Sequence, residues 1–114
     1  MRDISHKPTT MRTATARAEL RVAPETIQAI RQGRVPKGDP LPVAKVAAIQ
    51  AAKQTSQIIP YCHPILLEWV GVEVAIGETS IQVEVTVKAI QKTGVEMEAL
   101  SGAAVAALTL FDML

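Results

Sequence analysis

Strict alternation of apolar and polar side chains runs from Thr13 to Val22 and marks the first regular element of the chain. A repeat of two residues is typical of a strand with one buried and one solvated face. Two more alternating runs, at 70–76 and 81–87, are separated by the turn-forming residues 77–80. The pattern therefore predicts an antiparallel hairpin after the first strand.

Helix signals occupy the segment between the first strand and the hairpin. Pro24 opens a short helix that we expect to end at Gly33, because glycine readily adopts the left-handed conformation that follows a helix. Asp39 suits the N-cap of a second helix. We expect this second helix to run to the neighbourhood of Ile58, since Pro60 prevents its continuation.

A third helix is predicted from Val95 to Leu114, where Ala-rich sequence follows the T-x-x-E pattern of Thr93 and Glu96. In this pattern, the capping box, two side chains bond the free amides at the start of a helix. The order strand, helix, helix, strand, strand, helix predicts one α+β domain with helices on one face of an antiparallel sheet.

Composition and charge narrow the functional classes. The 114 residues suffice for one domain, and 17 of them are Ala, which predicts closely packed helices. A net charge of +1 and three aromatic residues disfavour a nucleic-acid-binding protein. The longest uncharged stretch is too short to span a membrane. The single Cys62 excludes an intrachain disulfide, so we expect a reducing, cytoplasmic setting.

The loop between Pro60 and Pro64 carries Tyr61, Cys62 and His63, and the two prolines stiffen it. His63 is suited to metal binding, to acid–base work or to a hydrogen bond with phosphate. No spacing in the sequence supplies the further ligands of a zinc site. An isolated cysteine is more often a small buried thiol than a nucleophile, and both interpretations of Cys62 remain open.

Two acids of the third helix, Glu98 and Asp112, lack a structural explanation, whereas Glu96 is assigned to the capping box. Their separation of 14 residues places them about 21 Å apart on one stripe of the helix. One small substrate does not easily reach both acids of a single chain. We therefore expect a site that combines two subunits packed along this helix.

Cations form no single cluster in the sequence. Lys37 precedes a helix N-terminus in the sequence Lys-Gly-Asp, where free amides favour an anion, although these three residues alone favour a solvated loop lysine. Asp39 is explained better as a cap than as a base. Arg17 lies mid-strand between alanines, where a covering subunit would bury it. Lys45 and Lys53 suit a solvated helix face.

Five stretches, taken together and in order, resemble the MoaC family of molybdenum cofactor biosynthesis. They are KGD at 37–39, AIQAAK at 48–53, IPYCHP at 59–64, TGVEMEAL at 93–100 and VAALTLFDM at 105–113. The resemblance implies a ferredoxin-like antiparallel sheet with helices packed on one face. It also implies a homohexamer, a trimer of dimers, with active sites at subunit interfaces.

The reaction implied by the resemblance converts 3′,8-cyclo-7,8-dihydro-GTP into cyclic pyranopterin monophosphate and releases pyrophosphate. By resemblance, Asp112 is the catalytic acid/base and Lys37 is a second catalytic residue that faces the phosphates. The residues implied to bind substrate are Arg17, Lys53, Tyr61, Cys62, His63, Glu96, Met97 and Glu98. No cofactor is expected, with Mg²⁺ bound to the triphosphate as the alternative.

The resemblance also has departures. The family continues past the position of Leu114 with a lysine three residues after Asp112 and a later Gly-Gly-Lys-Ser-Gly stretch, so we expect residues 1–114 to form one domain without that segment. Arg2 stands where the family usually has Val. A non-catalytic nucleotide-binding or oligomeric scaffold is the alternative to a lyase. The acids Glu98 and Asp112 favour the enzyme, and the absent downstream lysine favours the scaffold.

Overall fold

Three strands and four helices follow one another in the computed structural model, which describes residues 1–114. In chain order they are β1 Thr10–Arg21, α1 Pro24–Arg31, α2 Pro40–Lys53, α3 Thr55–Ile58, β2 Trp69–Ile76, β3 Ser80–Gln91 and α4 Glu96–Met113. The strands pair antiparallel in the order β1-β3-β2. This order places β3 between two strands that run in the same direction, as in the split β-α-β unit of ferredoxin-like folds.

Helices α2 and α4 cover one face of the sheet, as predicted for an α+β domain. Central strand β3 contributes a row of fully buried side chains to this face, including Val83, Val85 and Val87. On β1 the buried side is formed by small residues such as Ala16, in agreement with the predicted alternation. The opposite face of the sheet carries polar and charged side chains and has no helix against it.

Local signals set the end of α1 and the start of α2 correctly. Gly33 has a φ of 68° just after α1, and the amide of Arg34 reaches back to the carbonyl of Ala29 at 2.8 Å. These are the features of a glycine-terminated helix. Asp39 caps α2 by accepting a hydrogen bond from the amide of Leu41 at 3.1 Å. The strand β1 begins at Thr10, three residues before the predicted Thr13, because its ladder with β3 continues to Gln91.

The predicted extent of α2 was wrong. The helix ends at Lys53, and residues 55–58 form the separate short helix α3. The backbone of Gln54 leaves the helical conformation at this point, with φ of −108° and ψ of 14°. The hydroxyl of buried Thr55 lies 2.9 Å from the carbonyl oxygen of Ala51 and 3.1 Å from that of Ala52.

The predicted capping box was also wrong. Helix α4 begins at Glu96, its N-cap residue is Val95, and no side chain caps it. Val95 is 1% exposed because its side chain belongs to the core, so the chain turns into a helix only after this residue. The side chain of Glu96 therefore does not cap α4.

Helix α4 lies very close to both α2 and β3. A Cβ atom at Gly102 would be 3.0 Å from Val85 Cγ1 and 3.1 Å from the carbonyl oxygen of Ala48. Buried alanines on both helices, among them Ala48, Ala99 and Ala106, continue this contact. The Ala-rich composition thus packs two helices tightly against the sheet, as predicted.

We expect Gly102→Val to lower the free energy of unfolding by about 2 kcal/mol, because overpacking a filled contact typically costs 1–3 kcal/mol. Gly77→Val is the matched control, since a Cβ there meets only Ser80, at 3.4 Å or more. Denaturant unfolding at equal protein concentration measures both variants. Equal stabilities would contradict the close packing at Gly102.

Candidate active site

Three chain segments meet at one end of the sheet. Because β1 starts opposite the end of β3, residues 1–9 lie beside residues 92–95, which connect β3 to α4. The loop 59–68 enters β2 at the same end, where Glu68 bonds the carbonyl of Lys88 through its amide at 2.8 Å. This end of the sheet holds most of the residues that the sequence suggested for chemistry.

A small cavity of about 160 Å³ lies between the loop and the start of α4. Its walls include six of the predicted site residues, drawn from both segments. The lining residues are Tyr61, Cys62, His63, Thr93, Gly94, Glu96, Met97 and Glu98. The fold therefore brings the IPYCHP and TGVEMEAL stretches together, as the resemblance implies.

Glu98 is the buried acid of this cavity, with 4% of its surface exposed. Burial raises the pKa of its carboxyl, its own backbone amide partly opposes this, and the negative charge of Glu96 raises it further. The pKa of the Cys62 thiol is also raised, first by burial and then by Glu98. The environment thus favours the neutral forms of both Glu98 and Cys62.

His63 is oriented by the N-terminal segment. Its Nε2 atom lies 2.8 Å from the carbonyl oxygen of Arg2. Since a carbonyl only accepts, Nε2 carries the proton and donates it. The other ring nitrogen, Nδ1, is then the atom that a neutral His63 has left to accept a proton.

A larger cavity of about 760 Å³ adjoins the first and shares Tyr61, His63 and Thr93 with it. Its other walls are residues of the N-terminal segment, including the side chains of Arg2, His6 and Lys7. The single acid in its lining, Asp3, accepts hydrogen bonds from the hydroxyl and amide of Ser5, and these lower the pKa of its carboxyl. The cavity therefore presents an excess of positive groups.

The sequence analysis gave these N-terminal residues no place in the site. The available signal was the clustering of Arg2, His6 and Lys7 just before a strand. Only the pairing of β1 with β3 shows that they lie beside the TGVEMEAL stretch.

Lys37 and Asp112 form a second group at the far end of α4. Lys37 Nζ lies 2.8 Å from the carbonyl oxygen of Asp112 and 3.4 Å from its Oδ1, and both side chains are exposed. Gly38, with a φ of 100°, shapes the loop that holds Lys37. Asp112 is 14 residues from Glu98 along α4, or about 21 Å at 1.5 Å per residue. As predicted, the two acids of a single chain lie far apart.

The remaining two cations lie outside both groups. Arg17 is exposed on the face of the sheet opposite the helices, where Glu84 is its partner in the β1–β3 register. Lys53 is exposed at the end of α2, which runs antiparallel to α4 and therefore ends near the first group. Their assignment to substrate stays a prediction.

Two further features of the structure concern metals and membranes. No three His, Cys, Asp or Glu side chains are grouped so that they could hold a metal ion. No helix combines the length and hydropathy needed to cross a membrane.

Known proteins match the chain over its whole length. The model described as the MoaC family matches residues 1–114. A protein of Thermomicrobium roseum named cyclic pyranopterin monophosphate synthase is 51% identical, and the match covers 100% of this chain and 70% of the relative. A Roseiflexus protein of the same name is 48% identical, covering 99% of this chain and 73% of the relative. A Chlorobaculum tepidum protein named molybdenum cofactor biosynthesis bifunctional protein is 50% identical over 99% of this chain and 36% of its own length.

We expect Glu98→Gln to be more stable relative to the wild type as pH rises. Because the pKa of Glu98 is raised in the folded state, the folded protein holds this proton more tightly than the unfolded chain does. The wild type therefore loses stability as the pH rises from the ordinary pKa of glutamate through the raised pKa of Glu98. Glutamine resembles the neutral acid and has no such loss. Denaturant unfolding between pH 4 and 8 measures the difference.

Exposed Glu78 in the hairpin turn supplies the control, Glu78→Gln. A Glu98→Gln curve parallel to that of the wild type across this pH range would contradict a raised pKa of the Glu98 carboxyl.

Proposed function

The chain belongs to the MoaC family, and from this membership we propose that it converts 3′,8-cyclo-7,8-dihydro-GTP into cyclic pyranopterin monophosphate and pyrophosphate. The observation that carries the proposal is that relatives named cyclic pyranopterin monophosphate synthase are 48–51% identical over 99–100% of the chain. The chemistry of the two adjoining cavities supports it.

The two cavities suit the two parts of this substrate. The heterocyclic base carries hydrogen-bond donors and acceptors, and the smaller cavity offers a carboxyl favoured in its neutral form, Glu98, beside Glu96. The triphosphate needs cations, and the larger cavity offers Arg2 and Lys7, with the imidazole of His6 as a further hydrogen-bonding group. His63 lines both cavities and is placed to move a proton between base and sugar.

The proposed reaction rearranges bonds without net oxidation or reduction. After the base ring opens and the pterin closes, a sugar hydroxyl attacks the α-phosphorus and gives up its proton. The bond between that phosphorus and pyrophosphate breaks. Asp112 serves as the acid/base, and Lys37 offsets the negative charge that develops on the departing pyrophosphate. Arg17 and Lys53 are retained as further substrate-binding candidates.

We propose that each site combines two copies of the chain, because Glu98 and Asp112 lie at opposite ends of α4. A second copy packed along α4 would bring its Lys37 and Asp112 to the cavities of the first. The outer side of α4 favours such packing, since Leu100, Leu108 and Phe111 are 51–72% exposed along it.

The homohexamer, a trimer of dimers, needs a second kind of interface besides the one along α4. Helix α2 offers one: Val43 and Val46 are 46% and 62% exposed and line an apolar surface with Pro42 and Ala47. Two separate apolar surfaces support the proposed hexamer.

No cofactor is part of the proposed reaction. The alternative is Mg²⁺ carried in with the triphosphate, which binds such ions through its own oxygens. We propose a cytoplasmic location, in which the single thiol Cys62 remains reduced.

Pyrophosphate release from the cyclised dihydro-GTP tests the proposed activity. We expect turnover by the wild type and a loss of about 100-fold or more in kcat for Asp112→Asn, with little change in binding, because removal of an acid/base group typically costs 10²–10⁴. Lys37→Ala should weaken substrate binding as well. Binding without turnover by the wild type would favour the non-catalytic scaffold, and unchanged kcat in Asp112→Asn would remove its catalytic assignment.

Mixing two inactive variants tests the shared site. Asp112→Asn and His63→Ala damage groups that different copies contribute to one site, so a dimer of one variant with the other keeps one intact site of two. When an equal mixture is dissociated and reassembled, about half of the dimers are mixed, so we expect about a quarter of wild-type turnover. The matched control mixes Asp112→Asn with Lys37→Ala, which damage the same group and should regain none. Equal turnover in the two mixtures would contradict a site built from two copies.

A further inference from the structure

Gly94 lies directly beneath the side chain of Glu96 in the connection from β3 to α4. A Cβ atom at Gly94 would collide with Glu96 Oε2 and would lie 2.8 Å from both Cδ and Oε1 of the same carboxylate. The Glu96 side chain therefore folds back over the glycine and occupies the space of a missing side chain.

The backbone does not explain why this residue is glycine. Positive φ angles occur only at Gly33 and Gly38, so the conformation of Gly94 is open to other residues. All three closest atoms to its absent Cβ belong to the far end of one flexible side chain. An added methyl group would therefore displace the Glu96 carboxylate at little cost to the surrounding fold.

We propose that Gly94 is a positioning residue that lets the Glu96 carboxylate fold into the small cavity and sets its place beside Glu98. The proposal rests on the function proposed above, because it assumes that this cavity receives the substrate base. It also gives Glu96 a role in the site rather than in capping α4.

The position of Glu96 has a chemical consequence for its neighbour. The titratable groups that line the cavity with Glu98 are Glu96, Cys62, His63 and Tyr61. Of these, Glu96 is the one whose charge raises the pKa of the Glu98 carboxyl. Moving the Glu96 carboxylate therefore alters both a contact to the substrate and the proton affinity of Glu98.

A double-mutant cycle between Gly94 and Glu96 tests the proposal. We expect Gly94→Ala to lower kcat/KM about tenfold or more, because displaced site groups are costly, and to leave unfolding by denaturant nearly unchanged. In a Glu96→Ala background there is no carboxylate to displace, so the same substitution should change kcat/KM less than about twofold. Gly77→Ala, at a glycine with room for a Cβ, is the matched control.

The outcomes separate a positioning role from a structural one. An equal loss in both backgrounds, or no loss in either, would overturn the proposal. If Gly94→Ala fails to fold but Gly94→Ala/Glu96→Ala folds, collision with Glu96 is supported as the cause. Failure of both to fold would overturn it.

A second readout separates this inference from the proposed reaction. Titration of the Glu98 carboxyl by ¹³C NMR needs no substrate, and we expect Gly94→Ala to shift it relative to the wild type. An unshifted titration would overturn the role of Gly94. Absence of pyrophosphate release by the wild type, with the titration shifted, would instead reject the proposed function alone.

Discussion

The close approach of α4 to α2 and β3 is the constraint on which the rest of the structure depends. Gly102 and the buried alanines remove the side chains that would hold these elements apart. Because α4 begins where β3 ends, this packing also decides where its acids lie. Glu98 stays in the corner where strand ends meet, and Asp112 lies at the far end beside Lys37.

Burial of an acid at this corner is costly unless the acid is neutral or paired, and a carboxyl group adds nothing to the apolar packing of the core. Glu98, in the first turn of α4, lines a cavity with residues of the loop between Pro60 and Pro64, and a second cavity with an excess of cationic groups adjoins it. A buried acid with a perturbed pKa in a cleft is typical of a functional site. A cavity lined by carboxyl groups beside one with an excess of cationic groups suits the proposed substrate, which joins a heterocycle to phosphates.

Prediction succeeded where one residue decides a local conformation. Gly33 and Asp39 end and begin helices through their own backbone and side chain, so their roles were visible in the sequence. It failed at Glu96, because the start of α4 depends on the burial of Val95. The end of α2 was also missed, because the local pattern does not mark the change of backbone conformation at Gln54.

The sequence by itself determined the order of the three strands and the three longer helices, the buried side of each strand, the close helix packing and the separation of Glu98 from Asp112. These follow from periodicity, composition and helix rise, which are properties of neighbouring residues. Only the tertiary structure decided that Arg2 and His63 meet, that Lys37 reaches Asp112 and that Glu96 folds over Gly94. The first two contacts join residues 61 and 75 positions apart, and strand pairing and helix packing, which local pattern does not encode, create them. The third spans two positions but depends on how the core directs the start of α4.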